Sequence, residues 1–261
     1  MGCAAFDGNF PKRDNAAVWA LRQAGAVILA KSVTAELGGT HPGPTTHPFD
    51  PARTPGGSSS GSAAAVAARM VPAAIGTQVG GSIIRPAAYC GNVALKPSQG
   101  AINRGERLGT SMSTHGPHAA CIQDMWQVAI EIAKRAGGDR DYKALSGPDE
   151  APAAARPTRL MVLETVGWER TDDATKSVFA ALLENLKSAG IELIDRRSHA
   201  GVEAFEAVIQ DAEEIATDIT LWENRWTWRN MVDQFGDKIS HRLRKGLEKA
   251  EAMTPAQYEA L

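Results

Sequence analysis

Two Gly-Gly-Ser units, Gly56-Gly57-Ser58 and Gly80-Gly81-Ser82, place their serines 24 residues apart in a run from Thr54 to Pro97 that is rich in Gly, Ala and Ser. Small residues at this density let backbone approach backbone, or a substrate, closely. Hydrolysis of an amide needs a nucleophile, a group that moves its proton, and donors for the oxyanion. Ser82 is the stronger nucleophile candidate. It follows an apolar strand pattern, opens a helix pattern, and comes after two glycines that can present successive backbone N–H groups. A nest of this kind at a helix start stabilises developing negative charge. Losing one such donor typically raises a barrier by about 3–4 kcal/mol. The plainer reading of either unit alone is a glycine turn that binds an anion or nothing. Two of them joined by a small-residue helix argue for paired-serine chemistry.

Other arrangements carry less. No Lys-Ser/Thr follows the glycines, so a nucleotide-cradling P-loop is not expected. A Ser-His-Asp hydrolase would draw on His115, His118 and Asp124, or on His41 and His47, but there is no G-x-S-x-G elbow, and isolated loop histidines are expected to be exposed or bracing. Cys90, in an apolar A-A-Y-C-G context, reads as a buried, inert thiol. His41 and His47 lack metal-ligand spacing, and neither a metal nor another cofactor is expected. Trp222, Trp226 and Trp228 lie on a helical pattern as core or subunit contacts.

The 261 residues carry a net charge of −2, which gives no reason to expect direct nucleic-acid binding or an anionic membrane as partner. The charge is unevenly spread: residues 1–138 hold 12 Lys+Arg and 7 Asp+Glu, residues 139–261 hold 16 and 23. The first part therefore reads as a closely packed core and the second as solvated helices and strands. Three cysteines at no metal-like spacing argue against a disulfide scaffold and for a reducing cytoplasm. No signal peptide or membrane span is read from the pattern.

The elements that must position the serines follow from periodicity. Asp14 caps a helix that closes at Gly25, and Ala26–Ala30 reads as a buried parallel strand. Pro and Gly make 38–57 a loop. Ser62–Met70 reads as a helix, Ala73–Thr77 as a strand, a short helix opens at Ser82 with Pro86 in its first turn, and Asn92–Leu95 reads as a strand. A loop leads to a helix over Ile122–Ala136. After a Pro-rich linker at 139–158 come a strand at Leu160–Leu163, a helix at Asp172–Ala189, a strand at Ile191–Ile194 and one long helix from Val202 to Trp228. A helix and strand at 14–30 with no strand before them, and a charged helix running to Leu261, make the expected object a fragment cut at both ends.

The stretch GGSSSGSAAAVAARMVPAAIGTQVGGSIIRPAAYCGNVALKPSQG resembles the amidase signature family, and so do its flanks DNAAVWALRQAGAVILAKSVTAEL and HGPHAACIQDMWQVAIEIA. The resemblance covers residues 10–136 strongly and the rest weakly. It implies an α/β/α fold, a mixed β-sheet with helices on both faces, with residues 1–261 as one domain whose core spans about 14–138 and whose charged helical part spans about 159–261. It implies hydrolysis of a small-molecule amide through a Ser–cis-Ser–Lys triad: Ser82 as nucleophile, Ser58 as the relay after a cis peptide bond, and N–H groups of Val79, Gly80, Gly81 and Ser82 as the oxyanion hole. Ser59 and Ser60 are then structural. A homodimer is left open.

The chain departs from the family pattern in three places. The family's catalytic lysine lies on a strand well N-terminal of Ser58, before this chain begins; Lys12 falls in a loop, and Lys31 matches a different lysine. Gln78 and Ile84 stand where the family often has Asp and Arg, with Arg85 one place later, so Gln78 and Arg85 become the candidate substrate-binding residues. The family's C-terminal part, which lines much of its pocket, lies beyond Leu261. The chain alone is therefore expected to be inactive. The rival expectations are the glutaminase-like component of a tRNA-dependent amidotransferase and a non-catalytic fragment.

Overall fold

An asparagine starts the first helix. In the computed structural model, which describes residues 1–105 and 110–261, α1 (Ala16–Gln23) is capped by Asn15, whose side chain accepts from Val18 N at 3.0 Å. Asp14, the expected cap, pairs instead with Arg22 at 2.8 Å. α1 buries Ala17 and Ala20 against Ile102 and against Ile132 of the helix at Ile122–Ala136, with Leu21, Ile75, Val128, Ala136 and Leu145 around them. The segment expected as a strand at Ala26–Ala30 is not one. Val27 is 89% and Leu29 71% exposed, and no described residue forms a ladder with them. A strand is held by its neighbours, and an apolar run without any stays extended and wet.

The chain divides into two compact units, one of residues 1–152 and 216–261, the other of residues 153–215. The first contains α2 (Ser60–Ala67), β1 (Ala73–Gln78), α3 (Ile84–Cys90), β2 (Val93–Ala94), β3 (Thr114–Ala119) and α4 (Ile122–Ala136). The strands form an antiparallel sheet in the order β1-β3-β2, with Gly76 opposite Gly116 and Val93 opposite Ala119. The central strand β3 falls where sequence pattern gives a loop. Its T-H-G-P-H-A has a turn-like Gly-Pro and little intrinsic strand preference. Burial overrides propensity here: all six residues are buried, and a side chain at Gly116 would place Cβ only 1.9 Å from Leu95 O.

Helix α2 lies on this sheet. Its Ser60, Gly61, Ser62, Ala63, Ala64 and Val66 are buried, and a Cβ at Gly61 would come within 2.6 Å of Val33 O. Ser62 Oγ donates to Ile75 O at 2.8 Å, fastening helix to strand. The small-residue composition of α2 is thus a consequence of close approach, not of helix propensity alone.

The second unit holds a parallel pair, β4 (Arg159–Met161) beside β5 (Glu192–Ile194), joined through α5 (Val166–Glu169) and α6 (Asp173–Ser188) and followed by α7 (Ala200–Val208). Asp172 caps α6 at Thr175 N, 2.7 Å away, so the helix expected at Asp172–Ala189 runs over Asp173–Ser188. The long helix expected over Val202–Trp228 is two helices, because a new one, α8 (Ala212–Phe235), begins with Glu213 and Glu214 in its first turn, where acidic side chains favour a fresh N-terminus. In the first unit, α8 is followed by α9 (His241–Ala252) and α10 (Pro255–Glu259), and Trp222 of α8 packs against Arg225 and Tyr258, with distances from its ring centroid of 3.4 and 5.4 Å. Among the described residues no helix is long and apolar enough to cross a membrane.

Candidate active site

The two Gly-Gly-Ser units meet. Ser59 N donates to Ser82 O at 3.2 Å, and Ser58 O accepts from Ala35 N at 2.9 Å. The peptide bond between Gly57 and Ser58 is cis, and Ser58 is buried at 4% exposure. The neighbouring hydroxyls are engaged with backbone. Ser59 Oγ donates to Thr77 O at 3.3 Å and accepts from Thr77 N at 3.2 Å, and Ser60 Oγ donates to Ser58 O at 3.4 Å. The hydroxyls of Ser58 and Ser82 have no hydrogen-bond partner among the described residues. Of the serines at this junction, those two retain a free oxygen.

Ser82 sits between β1 and α3 in the half-buried turn Val79-Gly80-Gly81-Ser82. The N–H groups of Gly80, Gly81 and Ser82 donate to no described acceptor. Unpaired donors beside a free hydroxyl are what an oxyanion would need. Gln78 closes the turn from below: its Oε1 accepts from Ile83 N at 2.8 Å and Ile84 N at 3.0 Å. Its acceptor is therefore spent on backbone. Arg85 reaches back across the turn, donating to Gly80 O at 2.6 Å and Gly57 O at 3.1 Å.

No basic side chain is hydrogen-bonded to the hydroxyl of either serine among the described residues. Lys12 and Lys31 are exposed, and Lys96 Nζ donates to Pro97 O at 2.8 Å. Cys90 is buried, donates weakly to Pro55 O at 3.7 Å, and burial pushes its thiol up, away from the reactive thiolate. His47 bridges Tyr89 O at 2.9 Å and Phe49 N at 3.2 Å. Among the described residues there is no group of three or more His, Cys, Asp or Glu side chains placed to hold a metal.

His115 and His118 are the residues that sequence reasoning misplaced. Both lie on β3, buried and not in a loop. His118 is fully buried, and neither ring nitrogen has a hydrogen-bond partner among the described residues. A Cβ at Gly76 would lie 2.8 Å from both His118 Nε2 and Ser59 Oγ, so Gly76 is the gap that admits both side chains. Burial lowers His118 from 6.5 to about 4. Burial, and then the Arg104 cation, lower His115. The ring of His118 thus stays neutral in the folded chain to about pH 4, whereas the unfolded ring takes a proton near 6.5. Its contribution to stability is intact above pH 6.5 and declines as pH falls from 6.5 to 4, by about 3 kcal/mol at the lower end. Urea midpoints at pH 7, 5 and 4 measure this, and His118→Met is expected to flatten that part of the profile.

A family described as Amidase matches residues 1–260. The chain is 38% identical over 195 residues to the A subunit of the glutamyl-tRNA(Gln) amidotransferase of Aromatoleum aromaticum, a match that covers 67% of this chain and 39% of that protein. It is 30% identical over 251 residues to the protein of the same name from Synechococcus sp. strain RCC307, covering 85% and 51%. A solved structure described as an amidase superposes with a TM-score of 0.77 at 26% identity, covering 97% of this chain and 58% of the other. The chain thus spans from 39% to 51% of the length of these two curated relatives.

Proposed function

The chain belongs to the amidase signature family, and from that premise we propose that it carries the acyl-transfer half of an amide hydrolase, its residues forming one amidase signature domain. What supports this is the junction of two loops at which Ser58 and Ser82 keep free hydroxyls beside the unpaired N–H groups of Gly80, Gly81 and Ser82. In this reading Ser82 Oγ attacks the carbonyl carbon of a small amide while its proton passes to Ser58. The carbonyl oxygen, now negative, is held by the backbone N–H groups, with Val79 N as a further donor. Collapse breaks the C–N bond, the leaving nitrogen takes a proton, and water then releases the acid from Ser82. Ser58 must hand the proton to a base. No lysine or histidine among the described residues is hydrogen-bonded to Ser58, so turnover by these residues alone is proposed to be slow. Three free cysteines suit a reducing cytoplasm, and a homodimer remains part of the proposal.

The curated relatives favour one rival: the amidotransferase component that releases ammonia to a partner. Turnover that requires partner proteins and tRNA would select it. For Ser82 itself, the test is a neutral alkyl fluorophosphonate followed by peptide mass mapping. The proposal expects a single adduct on the peptide carrying Ser82; an adduct elsewhere, or none, contradicts it.

A further inference from the structure

One side chain joins the two serine loops. The Arg85 guanidinium donates through Nη2 to Gly80 O at 2.6 Å and through Nη1 to Gly57 O at 3.1 Å. These carbonyls belong to different loops, one two residues before Ser82 and the other immediately before Ser58. Gly81 is shaped to this contact. Its φ is +104°, and a Cβ there would lie 2.7 Å from Arg85 Nη2. We propose that Arg85 is a positioning residue that holds the oxyanion turn in register with the Ser58 loop, a reading that rests on Ser82 being the nucleophile.

The geometry gives the reason. A peptide unit is planar, and in the trans form its C=O and N–H point in opposite directions. Fixing the Gly80 carbonyl toward Arg85 therefore turns the Gly81 N–H the other way, leaving it unpaired for an incoming oxyanion. Gln78 fixes the other end of the same turn through Ile83 N and Ile84 N. The turn is thus held at both ends, and a preset donor costs no reorganisation when charge develops. Arginine suits the task because its planar fork spans two acceptors at once, whereas a lysine ammonium is a point donor. This assigns Arg85 to the protein's own backbone rather than to the substrate.

The experiment uses the 261-residue chain and the neutral fluorophosphonate. Arg85→Gln is expected to lower the limiting labelling rate of Ser82 about 100-fold, with the half-saturating probe concentration nearly unchanged. Arg85→Lys should not recover the rate, and millimolar methylguanidine should recover part of it in Arg85→Ala. Arg85 is exposed, so the thermal midpoint is expected to move little. Amide hydrogen exchange over residues 79–90 provides a readout independent of labelling and should quicken about tenfold in Arg85→Gln. Unchanged labelling in Arg85→Gln overturns the proposal, as does an effect confined to the binding of anionic probes. If the wild-type chain takes no label, the assignment of Ser82 falls, and the exchange measurement alone decides the clamp: unchanged exchange overturns it.

Discussion

Ser82→Ala is expected to abolish labelling by the fluorophosphonate, a loss of at least about 1,000-fold, because no oxygen remains there to displace fluoride from phosphorus. Ser58→Ala should retain the site of labelling and lose about 100-fold in rate, the usual share of a positioned proton-transfer group. The neighbouring serines should behave differently. Ser59 spends its hydroxyl on both the N–H and the C=O of Thr77, and Ser62 spends its hydroxyl on Ile75 O. Ser59→Ala removes the hydroxyl that pairs with the N–H and C=O of Thr77, so it is expected to cost about 1 kcal/mol of stability while the label stays on Ser82. Rate measurements on the three variants, with urea midpoints beside them, separate chemistry from scaffolding. Equal rate losses in Ser58→Ala and Ser59→Ala would remove Ser58 from the reaction.

The largest stability effect is expected at a buried ion pair away from the serines. Arg104 and Asp139 meet at 2.5 Å with both side chains 4% exposed. Arg104 N also donates to Asp139 Oδ1 at 3.0 Å, and its Nη1 reaches Ser111 O at 2.9 Å and Ser113 O at 2.7 Å. The pair therefore anchors the segment that leads into β3. Asp139→Leu leaves a buried guanidinium uncompensated and is expected to cost about 3–5 kcal/mol. Adding Arg104→Met should return part of that loss, since removing both charges costs less than stranding one. Urea unfolding of the single and double variants measures it, and a double variant less stable than Asp139→Leu would refute this role for the pair.

Local signals in the chain carried the elements that depend on local physics. Helix α4 was legible to both ends, and α6 to within a residue at each end, because periodicity acts over a few residues. The glycine spacing likewise marked the two serine loops. What escaped was set by distant neighbours. β3 reads as a loop by its Gly-Pro, yet becomes the central strand because β1 and β2 flank it. Ala26–Ala30 has a strand's composition and, among the described residues, no strand beside it. Arg104 and Asp139 are 35 residues apart, and no periodicity links them. At the site, Gln78 and Arg85 became substrate-binding candidates because the chain departs there from the family's Asp and Arg. In the structure both side chains hold backbone, and only three-dimensional placement distinguishes the two roles.

The central claim is that Ser82 forms an acyl-enzyme. An ester and an amide of the same acid give the same acyl group on the nucleophile, so an activated ester tests that claim without demanding a strong base. The chain should be mixed with a p-nitrophenyl ester of a small acid, and the peptides mapped by mass. Acylation of Ser82 predicts release of one equivalent of p-nitrophenol and the acyl mass on the peptide containing Ser82, both absent in Ser82→Ala. Acyl mass on another residue, or the same burst from Ser82→Ala, would contradict it.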